Sequence, residues 1–167
     1  KRLPAPNQPV AVFLSGGLDS SLVAAVVAEH RPDATYFTLG GGDDHNAVQD
    51  VVKALDLEDI RYVDLPKPAE IPKLIQKVVK ITESFNPSII SNGLGTFLLS
   101  KAVHLAGIKV VLGGEGADEL FGGYHKYSTS NSNWKEIRNQ LIRDMPITEL
   151  RRLDLASMAN SIEVRCP

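Results

Sequence analysis

The sequence predicts an α/β protein, a parallel sheet with helices on both faces, followed by a helical C-terminal segment. Three observations carry that expectation. Four short apolar runs, at residues 10–14, 34–39, 60–65 and 108–112, alternate with longer stretches of helical periodicity. Alternation at these lengths supplies the crossovers that parallel pairing needs, and such sheets are covered on both sides. Beyond Tyr124 the alternation stops, and a polar stretch, STSNSN, leads into two helical patterns without strands.

The elements follow in chain order. PAPNQP at 4–9 suits neither a helix nor a central strand and reads as a leading linker. Residues 10–14, VAVFL, have the length and continuity of a buried strand. Residues 21–30 are so apolar that a helix there is expected to be heavily buried, and Pro32 lies just past its end. ATYFTL at 34–39 is rich in β-branched and aromatic residues, and three glycines terminate it. Residues 45–56 put Ala47, Val48, Val51, Val52 and Leu55 on one helical stripe, and 60–65 form a third strand. Residues 69–84 form the clearest amphipathic helix, with Lys73, Lys77 and Lys80 on its solvated side. Asn86-Pro87 breaks the chain before a helix at 89–106; Gly107 ends that helix, and the fourth strand follows. Residues 1–125 thus form the core, and 126–167 a helical segment of the same domain, with both chain ends looking cut. The loops at 15–20, 40–44 and 113–119 all follow strands, so they converge on one rim, where such sheets bind ligands.

Composition narrows the function classes. The chain is 167 residues long and 43% hydrophobic, which places it among ordinary globular domains. Its formal net charge of -2 gives no support for a nucleic-acid partner. With a single cysteine, Cys166, neither an internal disulfide nor a multi-cysteine zinc site is available. No apolar run reaches bilayer-spanning length. A cytoplasmic, non-membrane protein is the expectation.

The chemistry begins at SGGLDSS, residues 15–21, between the first strand and the first helix. A mononucleotide P-loop needs a lysine before its serine or threonine, where Asp19 stands, and a dinucleotide fingerprint needs three spaced glycines. Gly16 and Gly17 let backbone N–H groups approach a phosphate, and Ser15, Ser20 and Ser21 add hydroxyls near a helix N-terminus. Asp19 would repel a bare polyphosphate and makes sense chiefly as a Mg²⁺ ligand. The bland alternative is a plain turn capped by Asp19 or Ser20. A second run, VVLGGEGADELFGGY at 110–124, sets Glu115, Asp118 and Glu119 within five residues. Carboxylates so close raise one another's pKa unless a cation neutralises them. Here the bland reading is a solvated acidic helix start, to which Glu119 is assigned. Asp43, Asp44 and His45 are read as a helix cap, and His104 and His125 as structural or exposed.

SGGLDSS resembles the pyrophosphate loop of the ATP pyrophosphatases. Together with VVLGGEGADELFGGY and RRLDLASMANSIEVRCP at 151–167, it makes the chain similar to the synthetase domain of the asparagine synthetase family. The resemblance implies the adenine nucleotide alpha hydrolase-like fold, ATP and Mg²⁺ as cofactors, and Asp19 with Asp118 as metal ligands. It also implies Glu115 and Asp118 as catalytic groups, with Glu115 near the reacting carboxylate. Nucleotide contacts are implied for Leu14, Ser15, Gly16, Gly17, Asp19, Ser20, Ser21, Thr38, Gly40, Gly113 and Gly114. Glu149 falls near the base partner of some β-lactam-forming relatives, and Asp154, Met158, Glu163 and Arg165 match the family pattern. The implied reaction is ATP-dependent amide formation through an acyl-adenylate, with aspartate as the default carboxylate and ammonia or an amine as nitrogen source. A glutaminase domain or subunit on another chain and an oligomer are possible partners. The alternative is a nucleotide-binding subunit or non-catalytic relative that needs a partner chain.

Overall fold

The computed structural model of the chain describes residues 2–41, 44–124 and 133–166. Its strands are β1 (Val10–Phe13), β2 (Thr35–Leu39), β3 (Ile60–Val63), β4 (Val110–Leu112) and β5 (Glu163–Arg165). They form one parallel sheet in the order β3-β2-β1-β4-β5. The helices are α1 (Leu18–His30), α2 (His45–Ala54), α3 (Ile71–Thr82), α4 (Pro87–Leu105), α5 (Ala117–Phe121), α6 (Trp134–Asp144) and α7 (Glu149–Met158).

Alternation along the central strands divides the core. Val10, Val12 and Leu14 point to one face with Tyr36 and Leu112, where Ala24 and Val27 of α1 and Val48 of α2 cover them. Ala11, Phe37 and Val111 point to the other face, beneath Val103 of α4. A third cluster, Val78, Phe97 and Ala156, locks α3, α4 and α7 together behind that face. The placement follows from connection order. The chain moves outward from β1 to β2 to β3 with its helices on one face, then reverses past β1 to β4 with its helices on the other. Parallel crossovers share one hand, so reversing direction exchanges faces. The reversal leaves a switch point between β1 and β4, where the connections after the two strands run to opposite faces of the sheet.

Three expectations need correction. The C-terminal segment is not purely helical: β5 pairs with β4 in register Val110↔Glu163 to Leu112↔Arg165. Ile162 is fully buried, and Ile162 and Val164 both pack with the cluster around Val111. A three-residue strand carries almost no periodicity of its own, so it becomes visible only against its neighbour. Second, α1 is half covered. Ser20, Ala24 and Val27 are buried, while Leu18, Leu22 and Val26 are 84%, 63% and 50% exposed. Uniform apolarity hid which face the sheet would take. Third, Asp44 occupies the N-cap position of α2 but makes no side-chain cap bond. Asp43, His125 and most of STSNSN lie outside the described residues. Lys73, Lys77 and Lys80 are exposed, as expected, with the Lys77 Nζ 4.5 Å from the centre of the Phe97 ring.

Candidate active site

The carboxyl ends of β1, β2 and β4 open into a cavity of about 510 Å³, within the range of small-molecule sites. One wall is the loop after β1. Gly17 caps α1 without any side-chain cap bond, which leaves the helix N-terminus available to an anion. The serines bind the loop to itself. Ser20 Oγ accepts from the Ser15 backbone N–H at 3.2 Å and donates to the Gly17 carbonyl at 3.1 Å; Ser21 Oγ donates to the same carbonyl at 2.7 Å. Gly16 has φ +80°, and a Cβ there would meet the Ala47 Cβ at 2.9 Å, because the first turn of α2 lies over the loop.

The opposite wall is the loop after β4. A Cβ at position 114 would sit 3.0 Å from the Asp19 carbonyl carbon and the Ser20 nitrogen, so Gly114 lets the two loops touch. That contact delivers Asp118, in the first turn of α5, to the cavity that Asp19 also lines. Burial first, then the charges of Asp19 and Glu119, hold the Asp118 carboxyl above its ordinary range. Among the described residues no three His, Cys, Asp or Glu side chains form a metal-holding group. A hard divalent cation here would therefore take Asp19 and Asp118 plus oxygens from its ligand and water, which is how Mg²⁺ is ordinarily held. The crowded charge fits such a cation.

Of the residues expected from sequence, Leu14, Ser15, Asp19, Ser20, Thr38, Gly113, Gly114, Glu115 and Asp118 all line this cavity. Gly16, Gly17, Ser21 and Gly40 do not line it. Glu119 departs from the expectation of a solvated acid: it is 3% exposed, and its Oε1 accepts from the Tyr124 hydroxyl at 2.6 Å. Burial and that bond push the Tyr124 hydroxyl's pKa well up. Short α5 turns inward because Gly116 and Gly122 bound it in left-handed conformation, which the acidic pattern alone does not reveal.

Sequence reading took His45 for part of a helix cap and passed over Tyr62, Thr96 and Arg152. The His45 and Tyr62 rings, 5.6 Å apart, form the far wall beyond β2 and β3. Arg152, 2% exposed, reaches behind the β4 loop to Glu115. Its place on one helical stripe with Leu153 and Ala156 was the one available signal. Glu149 contacts Arg152 at 3.0 Å instead of lining the cavity. Arg165 donates to Glu163 and to the Arg2 carbonyl, a surface tie, and His104 is exposed. Cys166 is pushed up to about 11, chiefly by burial and then by the Glu115 charge, so its thiol stays protonated at neutral pH. No helix among the described residues is long and apolar enough to cross a membrane.

Comparison with known proteins finds related sequences. The model of the asparagine synthase family matches residues 1–147. Glutamine-hydrolyzing asparagine synthetase 2 of Oryza sativa subsp. japonica is 31% identical over 95% of the chain, covering 29% of the relative. Glutamine-hydrolyzing asparagine synthetase 1 of Arabidopsis thaliana is likewise 31% identical over 95% of the chain and 29% of the relative. Asparagine synthetase B of Escherichia coli K12 is 29% identical over 95% of the chain, covering 32% of the relative. The chain spans about three-tenths of the length of the curated relatives it matches. With the two glycine-rich loops meeting at the switch point of a parallel sheet, and the family match running through both, the chain belongs to the asparagine synthase family.

Proposed function

We propose that this chain is a synthetase domain that forms an amide by adenylating a substrate carboxylate at the expense of ATP. The observation that carries this reading is the meeting of Asp19 and Asp118 in one cavity, across the β1–β4 switch point. Two converging carboxylates beside an uncapped helix N-terminus suit a magnesium-bound polyphosphate and would repel a bare one. Asp19 and Asp118 would hold the Mg²⁺, which would neutralise the phosphate charge that builds up on the leaving pyrophosphate.

The chain's own residues take distinct parts. The loop from Ser15 to Ser20 holds the phosphates through its backbone and the α1 N-terminus. Leu14 and Thr38 border the nucleoside side of the cavity. A carboxylate oxygen of the substrate attacks the α-phosphorus; the bond to the bridging oxygen breaks, and pyrophosphate leaves with that electron pair. Ammonia or an amine then attacks the acyl carbon, AMP leaves, and the nitrogen loses a proton. Glu115, at the cavity wall, would position the substrate for attack on the α-phosphorus and is then a carboxylate placed to accept that proton. Positioning and charge neutralisation supply most of such catalysis. Aspartate is the first carboxylate to try, and glutamine, named for the relatives, is the first indirect nitrogen source.

The test is product analysis. ATP with aspartate and ammonia should yield AMP and pyrophosphate in equal amounts, and Asp19→Ala should abolish both. ADP and phosphate as products would sink the reading. A second reading, a nucleotide-binding part completed by further protein, is favoured by the exposed ridge of Leu18, Leu22 and Val26 on α1. Mg-ATP binding without any carboxylate-dependent pyrophosphate, restored on adding a partner, would select it.

A further inference from the structure

Arg152 is charged, 2% exposed and absent from the cavity lining, yet it reaches from α7 to two other elements around the site, α4 and the loop after β4. Its Nη2 donates to Glu115 Oε2 at 2.9 Å, its Nε to Glu149 Oε2 at 3.0 Å, and its Nη1 to Thr96 Oγ1 at 2.9 Å. All three guanidinium nitrogens are thus engaged, which ties down the planar fork. Thr96 cannot turn its proton toward the arginine, because its hydroxyl already donates to the Asn92 carbonyl at 3.1 Å. The stem passes over Gly93, where a Cβ would lie 3.6 Å from Arg152 Cγ and 3.1 Å from Val78 Cγ1.

Burying a guanidinium is costly unless every donor is matched, and here each nitrogen has a partner. The arrangement does more than satisfy Arg152. Glu115 stands between Gly114 and Gly116, on a loop with little rigidity of its own, and its side chain is 38% exposed. Nothing local would keep its carboxylate in one place. Glu149, 22% exposed, draws the guanidinium from the other side and prevents it from following Glu115 into the cavity.

We propose that Arg152 is the positioning residue of this site: held by Glu149 and Thr96, its guanidinium keeps the Glu115 carboxylate at one point on the cavity wall. Arg152 touches no ligand and acts through Glu115. The activity arm of its test rests on the amide-forming reading above; the structural arm does not.

In the full-length protein, crystal structures of Arg152→Met and Arg152→Lys should show the Glu115 carboxylate displaced or in several conformers, with the 15–21 loop unchanged. Carboxylate-dependent ATP–pyrophosphate exchange should fall by about 100-fold in kcat, the scale of a misplaced catalytic group, with the KM for ATP within about two-fold. Guanidinium ion should restore part of the exchange in Arg152→Ala, while methylammonium should not. Thr96→Val and Glu149→Gln, which leave Arg152 in place but loosen it, should show smaller losses in kcat, again without a change in KM. Should Arg152→Met fail to fold, these two and Arg152→Lys carry the test. An unmoved Glu115 in Arg152→Lys and Arg152→Met, or exchange at the wild-type rate, would overturn the assignment. So would a matching loss of ATP affinity, the mark of a merely structural arginine. Absence of exchange in the wild type would count against the amide-forming reading, and the position of Glu115 in the crystals would still decide the role of Arg152.

Discussion

The two walls of the cavity are held at very different ranges along the chain. The loop after β1 is closed by Ser15, Gly17, Ser20 and Ser21, in hydrogen bonds that span at most five positions. Across the cavity, Glu115 is held by an arginine 37 residues away, which is itself bound to a threonine 56 residues away. The first wall forms wherever a strand hands over to a helix through this string of residues. The second exists only once α4, α7 and the β4 loop have packed. Local hydrogen bonds give a wall that tolerates distant change; long-range ion pairs give one that fails when any partner is lost.

Four substitutions test that difference, in order of expected effect. Arg152→Met removes a buried cation from between two part-exposed carboxylates, and should cost about 3 kcal/mol in urea denaturation. A loss under about 1 kcal/mol would mean that the distant wall is not held as described. Gly16→Ala forces a side chain into a left-handed position already crowded by Ala47, and should cost about 1–3 kcal/mol while weakening nucleotide binding. Wild-type stability would show that the α2 turn yields easily.

Asp118→Asn probes the contact between the walls. The folded protein raises the Asp118 carboxyl above its ordinary 3.8, so the fold favours the proton, and stability falls as pH rises from 3.8 through the raised value. Without magnesium at pH 7, the asparagine variant should therefore melt about 2–4 °C higher, a shift worth roughly 1 kcal/mol at this size, and it should lose Mg-ATP affinity. A lower melting temperature would contradict the crowding of Asp19, Asp118 and Glu119. The smallest effect is expected far from the cavity. Arg61 first, with help from Thr35, holds Asp59 below 3.8, so its contribution is present above that value and lost as pH falls through the lowered one. With its side chain 47% exposed, Asp59→Asn should cost about 0.5 kcal/mol or less and leave nucleotide binding intact. Any larger loss would show that the sheet edge and the site are coupled.

Legibility followed the same division. The β1 loop, its glycines and Asp19 were readable because each depends on neighbours in sequence. Four strands and the helices on both faces were readable because their periodicities run for many residues. Glu119 and Tyr124 were not, because an acidic helix start looks alike whether it faces water or turns inward between two left-handed glycines. β5 was hidden by its length, and the exposed ridge of α1 by an apolarity too uniform to mark a buried face. Thr96 and Arg152 lie on helices whose local pattern gives no hint that they meet.

By itself, then, the sequence determined the layer architecture, the glycine-rich loop after β1, and which carboxylates fall within the two glycine-rich runs. These are properties of local spacing and side-chain type. Only the tertiary structure decided that the two loops touch at Gly114, that Glu119 is buried, and that Arg152 holds Glu115 from behind. The reason is the reversal of strand order at β1: it sets β4 beside β1, and no local pattern encodes which strands become neighbours.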